Sequence, residues 1–222
     1  MDARQHSIGL EHQPLLVVDN FFAHPRELVD YALTQHNVLP AGGLYPGLRS
    51  PAPASYGRFL LDELAPGLSS CFGASVSHLA KAECYYSMVS TPPAQLSLLQ
   101  RLPHFDRPNP AELAIIHYLC TGKHGGTSFY RHRSTGYEYI TPDRQQPYQQ
   151  SLKTDVLTHG QPVGYINGST PLYERIASIP ARFNRALIYR CSSLHSGDIP
   201  NLSAFDLDPL SGRFTIASFL SL

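Results

Sequence analysis

The sequence predicts a mainly β fold with flanking helices, arranged as a closed or two-sheet antiparallel architecture. Three observations predict it. From residue 82 onward the chain breaks into short apolar runs, each bounded by Gly, Pro, Asn, Asp or Ser. Several of these runs alternate apolar with polar residues, the period of a strand with one buried face. The first third differs, offering one strand-like run followed by signals for helix initiation.

In chain order, Leu15–Phe22 reads as a buried strand running into a turn. Pro25 suits a first helical position and Glu27 a first turn, so a helix is expected there. Leu28, Tyr31, Ala32 and Leu33 carry its apolar face to about residue 36. Residues 37–57, rich in Gly and Pro, are expected as a long loop. A second helix begins at Phe59–Leu64, with Pro66-Gly67 as its limit. Strands are expected over Glu83–Val89, Leu96–Phe105, Glu112–Cys120, Thr127–Arg133, Tyr173–Pro180, Ala186–Cys191 and Arg213–Leu220. Residues 134–172 carry much Tyr, Gln, Gly and Pro and little apolar periodicity. Such a stretch is expected as a lid, a binding loop or an unstructured insertion.

The 222 residues are expected to form a single domain over 1–222, with 1–81 as N-terminal support and 82–222 as the core. Apolar residues make up 42% and charged residues 15%, which argues against disorder. Seventeen basic residues balance 17 acidic ones, which removes the electrostatic basis for expecting a nucleic-acid or membrane-surface partner. No run approaches roughly 18 consecutive apolar residues, and residues 1–13 are polar, so no membrane span and no secretory leader are expected and a cytoplasmic location is the default. Cys71, Cys84, Cys120 and Cys191 are scattered among apolar or small neighbours, without a CxxC pair, and read as buried reduced thiols.

The chemistry concentrates at His104-Phe105-Asp106, at the end of a strand-like run. On a strand, residues two apart project from the same face, so an imidazole and a carboxylate would point together while Phe105 points away. A third ligand, a neutral imidazole, would complete a two-His, one-carboxylate set, and a distal histidine stands in Ser193-Leu194-His195-Ser196-Gly197. That set suits ferrous iron and leaves coordination positions open. On the last strand, Arg213, Thr215 and Ala217 share a face, with Phe214 and Ile216 on the other. Arg213 offers a permanently charged planar fork suited to a carboxylate. Gly125-Gly126, ahead of Thr127-Ser128-Phe129, permits a turn with positive φ.

This ordered set resembles the iron(II)- and 2-oxoglutarate-dependent oxygenases, most of all their prolyl 4-hydroxylase-like branch. The resemblance covers roughly residues 82–222 and, more loosely, 15–36. It implies a double-stranded β-helix core of the jelly-roll or cupin-like type. It also implies Fe(II) on His104, Asp106 and His195, with 2-oxoglutarate as cosubstrate. Arg213, with Thr215 and Tyr118, would hold the cosubstrate's distal carboxylate. Arg213 follows His195 by 18 residues, farther than is common among relatives, which implies a longer loop over Asp198–Gly212. Relatives that halogenate replace the carboxylate ligand by a small residue, so with Asp106 present the resemblance favours hydroxylation of a C–H bond or a related oxidation. The substrate class stays open among a small molecule, a free amino acid and a peptidyl side chain, as does a homodimer.

Other residues read differently. His117 should point away from the pocket, because it alternates with Tyr118. His124 and His132 flank the Gly-Gly strand and stay outside the ligand set. Arg131 and Arg133 share a face and read as a salt-bridged sheet edge. Two other functions fit the same fold: a cupin-like enzyme with another metal and reaction, and a catalytically silent jelly-roll binding module.

Overall fold

The structure, a computed structural model, describes residues 1–35, 38–41, 43–202 and 204–222. Among these described residues eleven strands form two antiparallel sheets, with the helices packed outside them. The strands are β1 (Asp2–Ile8), β2 (Gln13–Asp19), β3 (Leu39–Pro40), β4 (Gly47–Pro51), β5 (Lys81–Val89), β6 (Leu113–Tyr118), β7 (Gly126–His132), β8 (Tyr173–Pro180), β9 (Arg185–Arg190), β10 (His195–Gly197) and β11 (Phe214–Ser221). The larger sheet has eight strands in the order β1-β2-β9-β6-β11-β5-β4-β3, and the smaller runs β10-β7-β8. Helices are α1 (Pro25–Leu33), α2 (Ala54–Phe59), α3 (Ala65–Phe72) and α4 (Pro142–His159).

The central strands are apolar on both faces because both faces are covered. Toward α1–α3, one core layer packs Phe21, Leu28, Leu60, Leu68 and Phe72 against Leu113, Ile115, Ile188 and Ile216. Between the sheets, a second layer joins Leu15, Val17, Leu187 and Tyr189 to Phe129. His117 faces the helical layer, as its alternation requires. There it is fully buried between the Tyr56 hydroxyl (3.1 Å) and the Asn184 amide oxygen (3.0 Å). Burial holds its pKa down to about 4, against the pull of Asn184, so it is a neutral core residue.

The architecture departs from the sequence expectations in several places. Residues 1–81 supply four of the eight strands of the larger sheet, with β2 inserted between β1 and β9. β1 escapes detection because it is an edge strand with nearly every side chain exposed, so no alternation marks it. β3 and β4 lie where a loop is expected, and the expected end of α1 near residue 36 falls outside the described residues. Pro66 does not end the second helix. A π-helical turn at Leu60–Leu64 precedes it, and Pro66 then occupies the first turn of α3, where a missing N–H costs least. The expected strand at Leu96–Phe105 is instead two 3₁₀ turns, Pro93–Gln95 and Leu98–Arg101. The segment 134–172 contains α4, whose Tyr148, Leu152 and Val156 pack on Tyr130, Ile140 and Tyr173. All four cysteines are free, Cys120 and Cys191 buried and the other two half-buried.

The Gly125-Gly126 turn is a backbone requirement. Gly125 has φ +86°, and a β-carbon there would lie 1.6 Å from the Asp198 carbonyl oxygen. At Gly126 it would lie 2.1 Å from the Ile179 carbonyl oxygen. We expect Gly125→Ala to cost about 2 kcal/mol or more. At this chain length that is a melting temperature lower by roughly 4–8 °C in a calorimetric scan; an unchanged midpoint would contradict the backbone geometry.

Candidate metal centre and cosubstrate cavity

His104, Asp106 and His195 converge, with one ligand atom from each lying within 4.8 Å of the others. They converge without a regular strand beneath His104. His104 and His195 form an isolated antiparallel bridge, exchanging backbone hydrogen bonds of 2.9 and 2.8 Å. The Asp106 N–H donates to the Cys191 carbonyl at 2.8 Å. β10 in turn pairs with β7, His195 opposite Phe129. The sequence-based geometry sets His104 and Asp106 on one face of a strand end, whereas an isolated backbone bridge, not a strand, brings them together with His195.

The side chains are poised as ligands. His195 Nε2 lies 3.7 Å from one Asp106 oxygen and His104 Nε2 3.8 Å from the other. His195 Nδ1 sits 3.0 Å from the Ser193 carbonyl oxygen, which can only accept, so Nδ1 carries the proton and Nε2 keeps its lone pair. Burial, then the neighbouring His195 and Arg49, hold the His104 imidazole well below the usual histidine range, in its neutral, ligating form. Burial pushes the Asp106 carboxyl upward, while His195 and Arg49 pull it down.

One cavity opens from this triad into the space between the sheets, and a second, lined by Leu102, Phe105, Tyr148 and Leu152, meets His104 and Asp106 from the side of α4. The walls of the first include Ala114 and Ile116 of β6, Tyr189 of β9, and Thr215, Ala217 and Phe219 of β11. Arg213, Thr127 and Ser196 also reach it. Arg213 is 92% buried and donates from Nη2 to the Gly126 carbonyl at 3.1 Å. Its Nε has no partner among the described residues, and no carboxylate pairs with it there. Tyr118 stands behind this wall: its hydroxyl lies 2.6 Å from Thr127 Oγ1, and Thr127 is the residue that faces the cavity. Thr215 lines the cavity, its hydroxyl 3.3 Å from the Ser87 carbonyl.

Four buried polar atoms on residues around this one cavity lack a hydrogen-bond partner among the described residues: Asp106 Oδ2, Arg213 Nε, Tyr189 Oη and Tyr45 Oη. An unsatisfied buried group costs about 1–3 kcal/mol, so their concentration at one place is the mark of a site completed by a ligand. A divalent cation fits Asp106, and a dicarboxylate fits the buried guanidinium.

Three contributors escaped the sequence reading. Arg49 lies in the stretch expected as a loop, yet β4 brings it to the cavity. Tyr45 precedes it in the same stretch, and Tyr189 sits on β9 within an apolar run that showed no reason to single it out. No local pattern marks any of the three. By contrast, Arg131 is committed elsewhere, paired with Glu138 (2.6 Å) and Glu174 (2.9 Å). His132 is held by Asp155 of α4 at 3.0 Å. Neither belongs to the metal set.

Comparison with known proteins adds three findings. A family model described as "Family of unknown function (DUF6445)" matches residues 1–220. No curated protein matches. Among solved structures, the fold resembles HygX from Streptomyces hygroscopicus with nickel, 2-oxoglutarate and hygromycin B bound. The TM-score is 0.51 and the identity 14%, over 95% of this chain and 84% of that one. It also resembles HygX with iron bound, with a TM-score of 0.53 and 11% identity, over 95% and 83%. No described helix is long and apolar enough to cross a membrane.

Proposed function

We propose that this chain, which belongs to the DUF6445 family of unknown function, is an Fe(II)- and 2-oxoglutarate-dependent oxygenase acting on a C–H bond. In this reading the two sheets form a double-stranded β-helix with the metal between them. The observation that carries it is one cavity with the His104/Asp106/His195 triad at its mouth and the unpaired guanidinium of Arg213 deeper within. The fold shared with HygX, which binds iron and 2-oxoglutarate, supports the same pairing of metal and cosubstrate.

His104, Asp106 and His195 would hold the iron, and Arg213 with Thr215 would hold the distal carboxylate of 2-oxoglutarate. When bound, these two supply the activation of dioxygen for C–H oxidation, with 2-oxoglutarate converted to succinate and carbon dioxide. The chain's part is positional. Ser193 fixes the His195 tautomer through Nδ1. The reciprocal backbone bridge fixes the spacing of the two imidazoles. Thr127 positions its hydroxyl beside the cosubstrate end, braced by Tyr118. Ala114, Ile116, Ala217 and Phe219 keep the cavity walls apolar and limit water around the reacting centre. The substrate would be a small molecule, an amino acid or a peptidyl side chain.

The test is anaerobic titration of the metal-free protein with Fe(II) and then 2-oxoglutarate, followed by oxygen and measurement of succinate. Stoichiometric uptake of both and oxygen-dependent succinate support the reading. Tight metal binding without 2-oxoglutarate binding would point to a cupin-like enzyme of another reaction type. Uptake of neither would point to a silent binding module.

A further inference from the structure

We propose that Arg49 anchors a carboxylate of the substrate, so that this cavity selects organic acids that carry an apolar body. The inference rests on the oxygenase reading above and names the substrate class of that same site.

The cavity holds two guanidinium groups, and one dicarboxylate cosubstrate needs one. Arg213 sits in the buried part beside Gly126 and Thr215; Arg49 enters from β4, with Leu44, Tyr45 and Pro46 beside it. Arg49 also lines an outer cleft with Tyr85, Arg107 and Phe219, so a group arriving from that side meets it on the wall of the metal cavity. Arg107, the other cation of this cleft, is paired with Glu83 and Glu112, each at 2.9 Å. Arg49 pairs with no carboxylate among the described residues. Glu83, on the neighbouring β5, is taken by Lys81 and Arg107.

The formal charges of the loaded site point the same way. Ferrous iron is balanced by the two charges of 2-oxoglutarate, and Asp106 balances one arginine. One positive charge remains, which suits a single carboxylate better than a phosphate dianion. Geometry agrees. The guanidinium carbon of Arg49 stacks 4.5 Å from the Tyr45 ring centre and 5.8 Å from that of Tyr85. Nε is 3.3 Å from Ser87 Oγ, which leaves the two terminal nitrogens without an acceptor among the described residues. A guanidinium held flat with its fork free is the complement of a planar carboxylate. Tyr45 Oη, buried and without a hydrogen-bond partner among the described residues, can donate to the same group. The remaining walls, Leu44, Ile116, Ile199 and Phe219, would take an apolar body.

The test uses protein loaded with Mn(II) and 2-oxoglutarate, which binds without turnover, and isothermal titration calorimetry. The probes are octanoate, benzoate and N-acetylleucine, each against its neutral primary amide. At least one acid should bind roughly ten- to a hundredfold more tightly than its amide, the scale of a charge-assisted hydrogen-bond pair. Arg49→Gln should erase that difference and leave 2-oxoglutarate affinity and Mn(II) content unchanged. Arg49→Lys, which keeps the charge without the fork, should retain part of it and guards against a variant that fails to fold. The proposal is overturned if no acid outcompetes its amide, if the preference survives in Arg49→Gln, or if Arg49→Gln loses 2-oxoglutarate itself. Wild-type protein that loads neither Mn(II) nor 2-oxoglutarate would overturn the oxygenase reading and this inference with it. A loaded site without acid preference would overturn the Arg49 assignment alone.

Discussion

Replacement of His104 or His195 by alanine should abolish Fe(II) binding at micromolar protein and remove all 2-oxoglutarate-dependent succinate formation. Each substitution takes away one of the three proposed ligands, and among the described residues no other cluster of His, Cys, Asp or Glu is placed to hold a metal. The two histidines are not equivalent in fold terms. His195 is almost fully buried between Phe129 and Tyr189, whereas His104 is half-buried at the cavity mouth. His195→Ala should therefore also lower the melting temperature, and His104→Ala should change it little. Asp106→Asn separates metal binding from folding more sharply. Burial raises the Asp106 carboxyl above its ordinary value, so the metal-free protein loses stability as pH rises through its folded pKa. The amide removes that cost. The metal-free variant should melt no lower than the parent at neutral pH, yet gain nothing from added Fe(II), while the parent gains stability by mass action. Anaerobic calorimetric scans with and without Fe(II) decide this, and metal-dependent stabilisation of Asp106→Asn would remove Asp106 from the ligand set.

Arg213→Ala should leave the iron site intact and raise the 2-oxoglutarate concentration required. Truncating one side of a buried charge pair costs about 2–5 kcal/mol, largely because the remaining carboxylate stays buried without a counter-charge. That corresponds to a rise of roughly 30-fold or more in the dissociation constant. Lysine should not restore full affinity, since a point charge replaces a fork that also donates to the Gly126 carbonyl. Fe(II) titration measures the retained metal, and a 2-oxoglutarate titration on the iron-loaded protein measures the loss. Wild-type affinity in Arg213→Ala would transfer the anchor to another cation, and Arg49 is the one that shares the cavity.

The longer spacing between His195 and Arg213 has a structural account. Residues 198–212 leave β10, and Asp198 of this loop accepts hydrogen bonds from Ser128 (2.8 Å) and Ser178 (2.9 Å) of the smaller sheet. Gly125, whose missing β-carbon admits the Asp198 carbonyl, lets the loop pass close to the sheet. The chain then rejoins β11 with Arg213 directed at the cavity.

Alternation and turn chemistry were enough to recover most central strands, because β2, β5, β6, β7, β9 and β11 bury side chains in patterns that local sequence records. They also placed Thr215 and Ala217 on the cavity side of β11 and Phe214 and Ile216 on the helical side. The HxD pair and the distal histidine were legible as residue types in order. Elements stabilised by tertiary contacts were not legible. β1 is exposed and exists because β2 offers it an edge. α4 carried start and stop signals in Thr141, Pro142, Asp143 and Gly160, yet it shows little amphipathic pattern. It buries Tyr148 and Asp155, the latter satisfied by His132 and Ser134. Arg49 and Tyr45 lie 55 or more residues from the nearest triad member, and no period or spacing connects them to it. Local sequence records which side chains a segment must hide. Only the closed fold decides which distant side chains share one desolvated cavity, because that depends on strand order and loop path rather than on neighbours along the chain.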